Sequence, residues 1–139
     1  MAEPITRKQF ISKCGSACLG LAGFSLLMQG CKTMAYVPYQ LDGKRISVKK
    51  SDVLAKEYVL IRVDGLNAPI YLSHGAEGYH AAFMVCTHKQ CELTPYGKVL
   101  HCPCHGSEFD SKGAVLNGPA DQPLTMFKVS EDEDSIYIQ

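Results

Sequence analysis

Two short stretches constrain this chain more than anything else in it. CTHKQC (residues 86–91) and CPCHGS (102–107) hold four cysteines and two histidines, all types that bind metal. In an extended backbone, residues two apart face the same side, so Cys86 and His88 can face one point. Cys102 and His105 are three apart, and Pro103 and Gly106 mark a turn there rather than a continuous strand. Two such loops set side by side offer two thiolates and two imidazoles, with Cys91 and Cys104 left over.

The surrounding chain reads as β structure. KEYVLIRV (56–63) and PIYLS (69–73) mix β-branched and aromatic residues across the turn DGLN, the signature of a hairpin. YHAAFMV (79–85) is a third strand, running into Cys86. GKVLHC (97–102), SEFD (107–110) and GAVL (113–116) are short strands around turns. LTMFKVS (124–130) and SIYIQ (135–139) close the domain across the acidic turn EDED, and KKSDVLAKEY (49–58) has room for one turn of helix. Many short strands at close spacing predict an all-β domain, a small sandwich or barrel. It is expected over residues 44–139. Residues 32–43 lack core patterning, contain Pro38 and read as a linker. A length of 139 residues holds one domain of ordinary size. The 14 basic and 14 acidic residues balance, so no basic surface for nucleic acid is indicated.

The pattern CTH..C followed by CPCHGS resembles the two loops of a Rieske iron–sulfur protein. That resemblance implies a [2Fe–2S] cluster with one iron on Cys86 and Cys102 and the other on His88 and His105. It implies that Cys91 and Cys104 form a disulfide tying the loops together. Ser107 matches the hydroxyl that donates a hydrogen bond to a cluster sulfide. NGPADQPL (117–124), with the pair Gly118–Pro119, resembles the family's proline loop, which covers the cluster's third side. The likeness runs over roughly residues 80–125, and it implies a β-sandwich or barrel with a cluster-binding subdomain of loops and short strands.

The chain departs from the family pattern in three places. Gln90 stands where respiratory members often carry Gly. Thirteen residues separate His88 from Cys102, fewer than is usual. Phe109 stands where many high-potential members have a Tyr whose hydroxyl donates to a ligand sulfur. Losing that donor lowers the potential, because hydrogen bonds to sulfur stabilise the more negative reduced cluster. With Ser107 kept, the expected potential lies in the upper part of the Rieske span of roughly −150 to +300 mV, below a member with both donors.

Other readings of the same residues explain less. Zinc also takes Cys and His at short spacing, but it takes four ligands, and six candidates leave two thiols over. Two structural disulfides, Cys86–Cys102 and Cys91–Cys104, leave both histidines without a role. His74, His80 and His101 read as ordinary strand histidines.

Residues 1–31 read as an address. Arg7, Lys8 and Lys13 precede 18 uncharged residues, Cys14 to Cys31, the layout of an export signal. TRKQFISK resembles the twin-arginine export signal, with Lys8 in place of the second Arg. LMQGC resembles a bacterial lipobox, in which Cys31 becomes lipid-modified. The rival is an uncleaved anchor: eighteen residues at 1.5 Å give roughly 27 Å against a ~30 Å hydrocarbon core. A plain cleaved signal and a buried N-terminal helix with incidental cysteines are the other options. All but the last place the remaining chain on the extracytoplasmic side of a bacterial membrane, where disulfides persist.

The resemblance therefore implies a membrane-attached electron carrier. Its partners would be cytochrome b and c subunits and a quinol, as in a cytochrome bc-type complex. The alternatives are the Rieske small subunit of a molybdenum-type oxidoreductase such as arsenite oxidase, and a ferredoxin-type carrier for an oxygenase. Ferredoxins of that type lack the extra cysteine pair, so Cys91 and Cys104 argue against the last.

Overall fold

A computed structural model describes residues 36–139. The expectations for residues 1–31, Cys31 among them, lie outside the described residues. The regular structure of the described residues is almost all strand, and the strands pair antiparallel in three four-stranded sheets joined by turns and loops.

The first sheet runs in the order β1 (Gln40–Asp42), β2 (Arg45–Lys49), β12 (Ser135–Ile138), β11 (Val129–Glu131). The second runs β10 (Met126–Phe127), β5 (Gly78–Phe83), β4 (Ile70–Gly75), β3 (Tyr58–Ile61). The third, which carries the cysteine loops, runs β6 (Thr94–Tyr96), β7 (Val99–His101), β8 (Glu108–Asp110), β9 (Val115–Asn117). A short helix, α1 (Lys50–Leu54), follows β2 and buries Val53. It is the single helical turn that KKSDVLAKEY allows.

Strand β4 explains the arrangement. Its side chains alternate between two faces, and both faces are covered. Ile70 and Leu72 join a core with Val59, Ile61 and Ala81 from the same sheet and Ile46, Val48, Ile136 and Ile138 from the first. Tyr71, between them, joins a second core with Leu60 and Ala82 from its own sheet, Met84 just past β5, and Leu100 and Phe109 from the third. A strand buried on both faces needs a continuous apolar run, and IYL provides it. Cys86 and Cys102 belong to the second core, so packing of the middle sheet bears directly on where those sulfurs sit.

Tyr71 also ties the third sheet down by a polar contact. Its hydroxyl donates to the Gly97 carbonyl at 2.9 Å, and its ring stacks on Tyr58 with centroids 5.1 Å apart. Burial pushes its pKa up to about 12, so it remains a donor throughout the working range of pH.

The hairpin expected around DGLN forms as β3 and β4, with Tyr58 opposite Ser73 and Ile61 opposite Ile70. Two expectations need correction. Residues 36–42 are part of the fold and not linker. Tyr36 bridges Leu60, Val37 is buried and donates to the Leu60 carbonyl at 3.0 Å, and Gln40–Asp42 pairs with β2. Every residue of β1 is exposed, so the segment lacks the apolar pattern that would betray a strand. LTMFKVS is not one strand either. It switches sheets at Lys128, whose N–H and carbonyl both pair with Gln139, leaving β10 on the second sheet and β11 on the first.

Candidate metal centre

The two cysteine loops share one backbone. In the first, Gln90 N–H donates to the Cys86 carbonyl at 2.8 Å and Cys86 N–H donates to the Cys91 carbonyl at 2.9 Å. In the second, Gly106 N–H donates to the Cys102 carbonyl at 3.0 Å and Cys102 N–H to the Ser107 carbonyl at 2.8 Å. Each loop is thus a six-residue turn closed at its first cysteine. Each needs a left-handed residue in its fifth position: Gln90 has φ +57° and Gly106 φ +77°. The first loop hangs between β5 and β6, with Val85 bridging Glu92 at its neck. The second connects β7 and β8.

This backbone turns the two cysteines inward. Cys86 and Cys102 are each 1% exposed, and both are free thiols. Burial alone pushes the Cys86 thiol up. It is outweighed by hydrogen bonds from the His88 N–H, the Cys102 thiol, the Lys89 N–H and the Ser107 hydroxyl, which together hold its pKa below the ordinary value. Those four donors surround a sulfur that the loop expects to be an anion. The histidines lie at the surface: His88 is half-buried, His105 exposed, and their rings meet edge to face with centroids 5.2 Å apart.

Cys91 and Cys104 are joined in a disulfide, Cα to Cα 6.5 Å, which ties the sixth residue of one loop to the third of the other. Their sulfurs and that of Cys102 all lie within 4.8 Å of one another. A disulfide sulfur has no thiolate to give a metal, so the donors these two loops have left are two thiols, hydrogen-bonded to each other, and two imidazoles whose rings touch. That set, with both thiols buried, His88 half-buried and His105 exposed, fits a [2Fe–2S] cluster with chemically different irons.

A third loop closes the site. Ser107 is fully buried, and its Oγ accepts from the Ala120 N–H at 3.0 Å. The hydroxyl proton is then free to point at sulfur. Thr87 Oγ1 donates to the Gln122 carbonyl at 2.7 Å. The segment that begins at the cis Gly118–Pro119 bond is therefore clasped to both cysteine loops, once from each. Among the described residues no buried side-chain N or O lacks a partner. Sequence reasoning missed Thr87. A hydroxyl directly after a candidate ligand was the available signal, whereas its partner, a backbone carbonyl, has none.

Other expected positions are placed as follows. Phe109 is fully buried in the same core as Cys86 and Cys102, and brings no hydroxyl there. Leu93, just past the first loop, is 2% exposed, and its N–H donates to the Met84 carbonyl. Leu116 is exposed. His74 and His101 take up ordinary contacts, with the Lys56 carbonyl and with Glu108. At the surface, Arg62 grips both carboxylate oxygens of Glu92, beside the neck of the first loop. Among the described residues no helix is long and apolar enough to cross a membrane.

Comparison with known proteins agrees with this geometry. Residues 37–128 match the family described as the Rieske [2Fe–2S] domain. The chain is 31% identical over 122 residues to the cytochrome b6-f complex iron-sulfur subunit of Synechococcus elongatus, covering 74% of this chain and 68% of that one. It is 34% identical over 83 residues to the cytochrome b6-f complex iron-sulfur subunit 2 of Nostoc sp. PCC 7120, covering 58% of this chain and 41% of that one. The match thus spans about two fifths of the Nostoc protein's length. Among solved structures, the plasma membrane Rieske protein PetC3 of Synechocystis PCC 6803 superposes with a TM-score of 0.57 at 25% identity, over 66% of this chain and 94% of that one. The shared loops, the disulfide and the family match lead to one conclusion: this chain belongs to the Rieske family, whose domain binds a [2Fe–2S] cluster.

Proposed function

We propose that this protein is a membrane-attached, extracytoplasmic electron carrier in which Cys86 and Cys102 hold one iron and His88 and His105 the other. We further propose that it serves as the iron–sulfur subunit of a quinol-oxidising cytochrome bc-type complex. The observation that carries this reading is the sidedness of the donor set: both cysteines are buried, while His105 is exposed and His88 half-exposed. The similarity to cytochrome b6-f iron-sulfur subunits supports the choice of partner. Attachment to the membrane rests on the apolar stretch before Cys31.

When bound, the cluster supplies one-electron chemistry. The protein supplies the rest. Each histidine would bind metal through one ring nitrogen and leave the other for a partner. His105, at the surface, would present that nitrogen to a quinol hydroxyl and take its proton. The buried cysteine side excludes water, and Ser107 supplies a hydroxyl donor that favours added negative charge.

The test is an EPR-monitored redox titration of the full chain at several pH values. A rhombic reduced signal with a low average g, and a potential that falls at alkaline pH, is the expected result. Stoichiometric zinc with no such signal would overturn it. Mass spectrometry of protein extracted from membranes should find lipid on Cys31; an intact Met1 terminus would replace the lipid by an uncleaved anchor.

A further inference from the structure

The Cys102 sulfur lies within 4.8 Å of both sulfurs of the Cys91–Cys104 disulfide. Cys102 is a free, buried thiol, Cys91 is half-buried and Cys104 is exposed. A thiolate beside a disulfide needs no outside reagent to react: attack on one sulfur expels the other. We propose that in the cluster-free protein Cys102 exchanges with this disulfide. Its thiolate attacks Cys91 Sγ, the Cys91–Cys102 bond forms as the Cys91–Cys104 bond breaks, and Cys104 leaves as a thiolate that takes up the proton Cys102 released. One disulfide replaces another, and nothing is oxidised or reduced overall. The consequence rests on the reading of Cys102 as an iron ligand, because the rearranged chain has lost that thiolate.

Geometry favours Cys91 as the sulfur attacked. A bond from Cys102 to Cys104 would close a ring across Pro103 alone, whose fixed φ leaves little freedom to bring two side chains together. A Cys91–Cys102 bond joins the same two loops as before, over eleven positions where the present bond spans thirteen, so the chain entropy hardly changes. The expelled Cys104 sulfur emerges at an exposed position. Metal on Cys102 removes the attacking group. The disulfide is therefore safe in loaded protein and a trap in empty protein, and iron has to arrive before the disulfide closes.

The test compares full-length protein as loaded with the same protein stripped by acid and chelator. Both are held at about pH 9, where thiols as a class ionise, then quenched, alkylated and mapped over all seven cysteines. Alkylated Cys104 and the Cys91–Cys102 peptide should rise at least tenfold in the stripped sample over the loaded one. Stripped protein that keeps only Cys91–Cys104, with Cys86 and Cys102 alkylated, overturns the proposal. In Cys102→Ser, Cys104 should stay protected; alkylation there would assign the attack to Cys86, Cys14, Cys18 or Cys31 and overturn the proposal. If that variant does not fold, Cys102→Ala, which puts no polar group into the buried site, removes the same attacker. Iron content of the starting sample is read separately: a chain that never carried iron overturns the ligand reading and leaves the exchange measurable.

Discussion

The loop at 86–91 and the loop at 102–107 bend the backbone in the same way, yet share only their first residue, cysteine. Thr87 faces Pro103 in this alignment, His88 faces Cys104, Lys89 faces His105, Gln90 faces Gly106 and Cys91 faces Ser107. The hydrogen bonds that aim the first cysteine use main-chain groups only, so side chains elsewhere are free to diverge. What diverges is instructive. In the second loop the histidine moves one place along, and the vacated third position holds Cys104, which reaches across to the sixth position of the first loop. One shift of a histidine thus creates the staple. The sixth position of the second loop, in turn, holds the buried hydroxyl that anchors the third loop.

If the comparison is right, the two first cysteines are equivalent. Cys86→Ser and Cys102→Ser should each abolish the reduced EPR signal, as should His105→Cys; a variant that keeps an unchanged spectrum breaks the assignment. Next in size is the staple. Replacing Cys91 and Cys104 together by Ala should cost about 3 kcal/mol, the chain-entropy value for a loop of this length, read as a lower midpoint in urea. The two clasps on the third loop come next. Ser107→Ala strands the buried Ala120 N–H and should cost about 1–3 kcal/mol while lowering the potential. Thr87→Val, whose bond lies at the surface, should cost less than half of that.

A smaller change sharpens the picture around the second cysteine. Phe109→Tyr should raise the midpoint potential by about 40–60 mV, which is roughly 1 kcal/mol for one electron. No rise would mean that the ring edge does not reach a ligand sulfur. Smallest is the exchange of the left-handed residues. Gln90→Gly should stabilise by up to about 1 kcal/mol, and Gly106→Ala should destabilise by a similar amount. The Gly106 cost is purely conformational, since a Cβ there meets open space. Equal signs for the two substitutions would show the loops to be less alike than their hydrogen bonds.

The cysteine–histidine loops were legible because their chemistry sits in side chains at short spacing. The Cys102 thiol hydrogen-bonds to the Cys86 sulfur, the His88 and His105 rings meet, and Gly106 takes the left-handed turn that the sequence announces. The hairpin at DGLN was legible for a similar reason, since two apolar runs flank a turn. The clasps were not, because Ala120 and Gln122 act through backbone groups that any residue has. Residues 36–42 escaped because an exposed edge strand has no buried face to impose a period. The change of sheet at Lys128 escaped because a strand that changes sheets keeps the same residue preferences on either side of the break.

Strand β4 has a consequence for how this protein fails. Its successive residues feed alternate cores, so Ile70 and Leu72 on one side and Tyr71 on the other cannot be loosened separately. A small domain with two independent halves would melt in two steps, the loop-bearing half first. Here a shared wall joins the halves into one cooperative unit, and damage at the cysteine loops lowers the unfolding temperature of the entire sandwich.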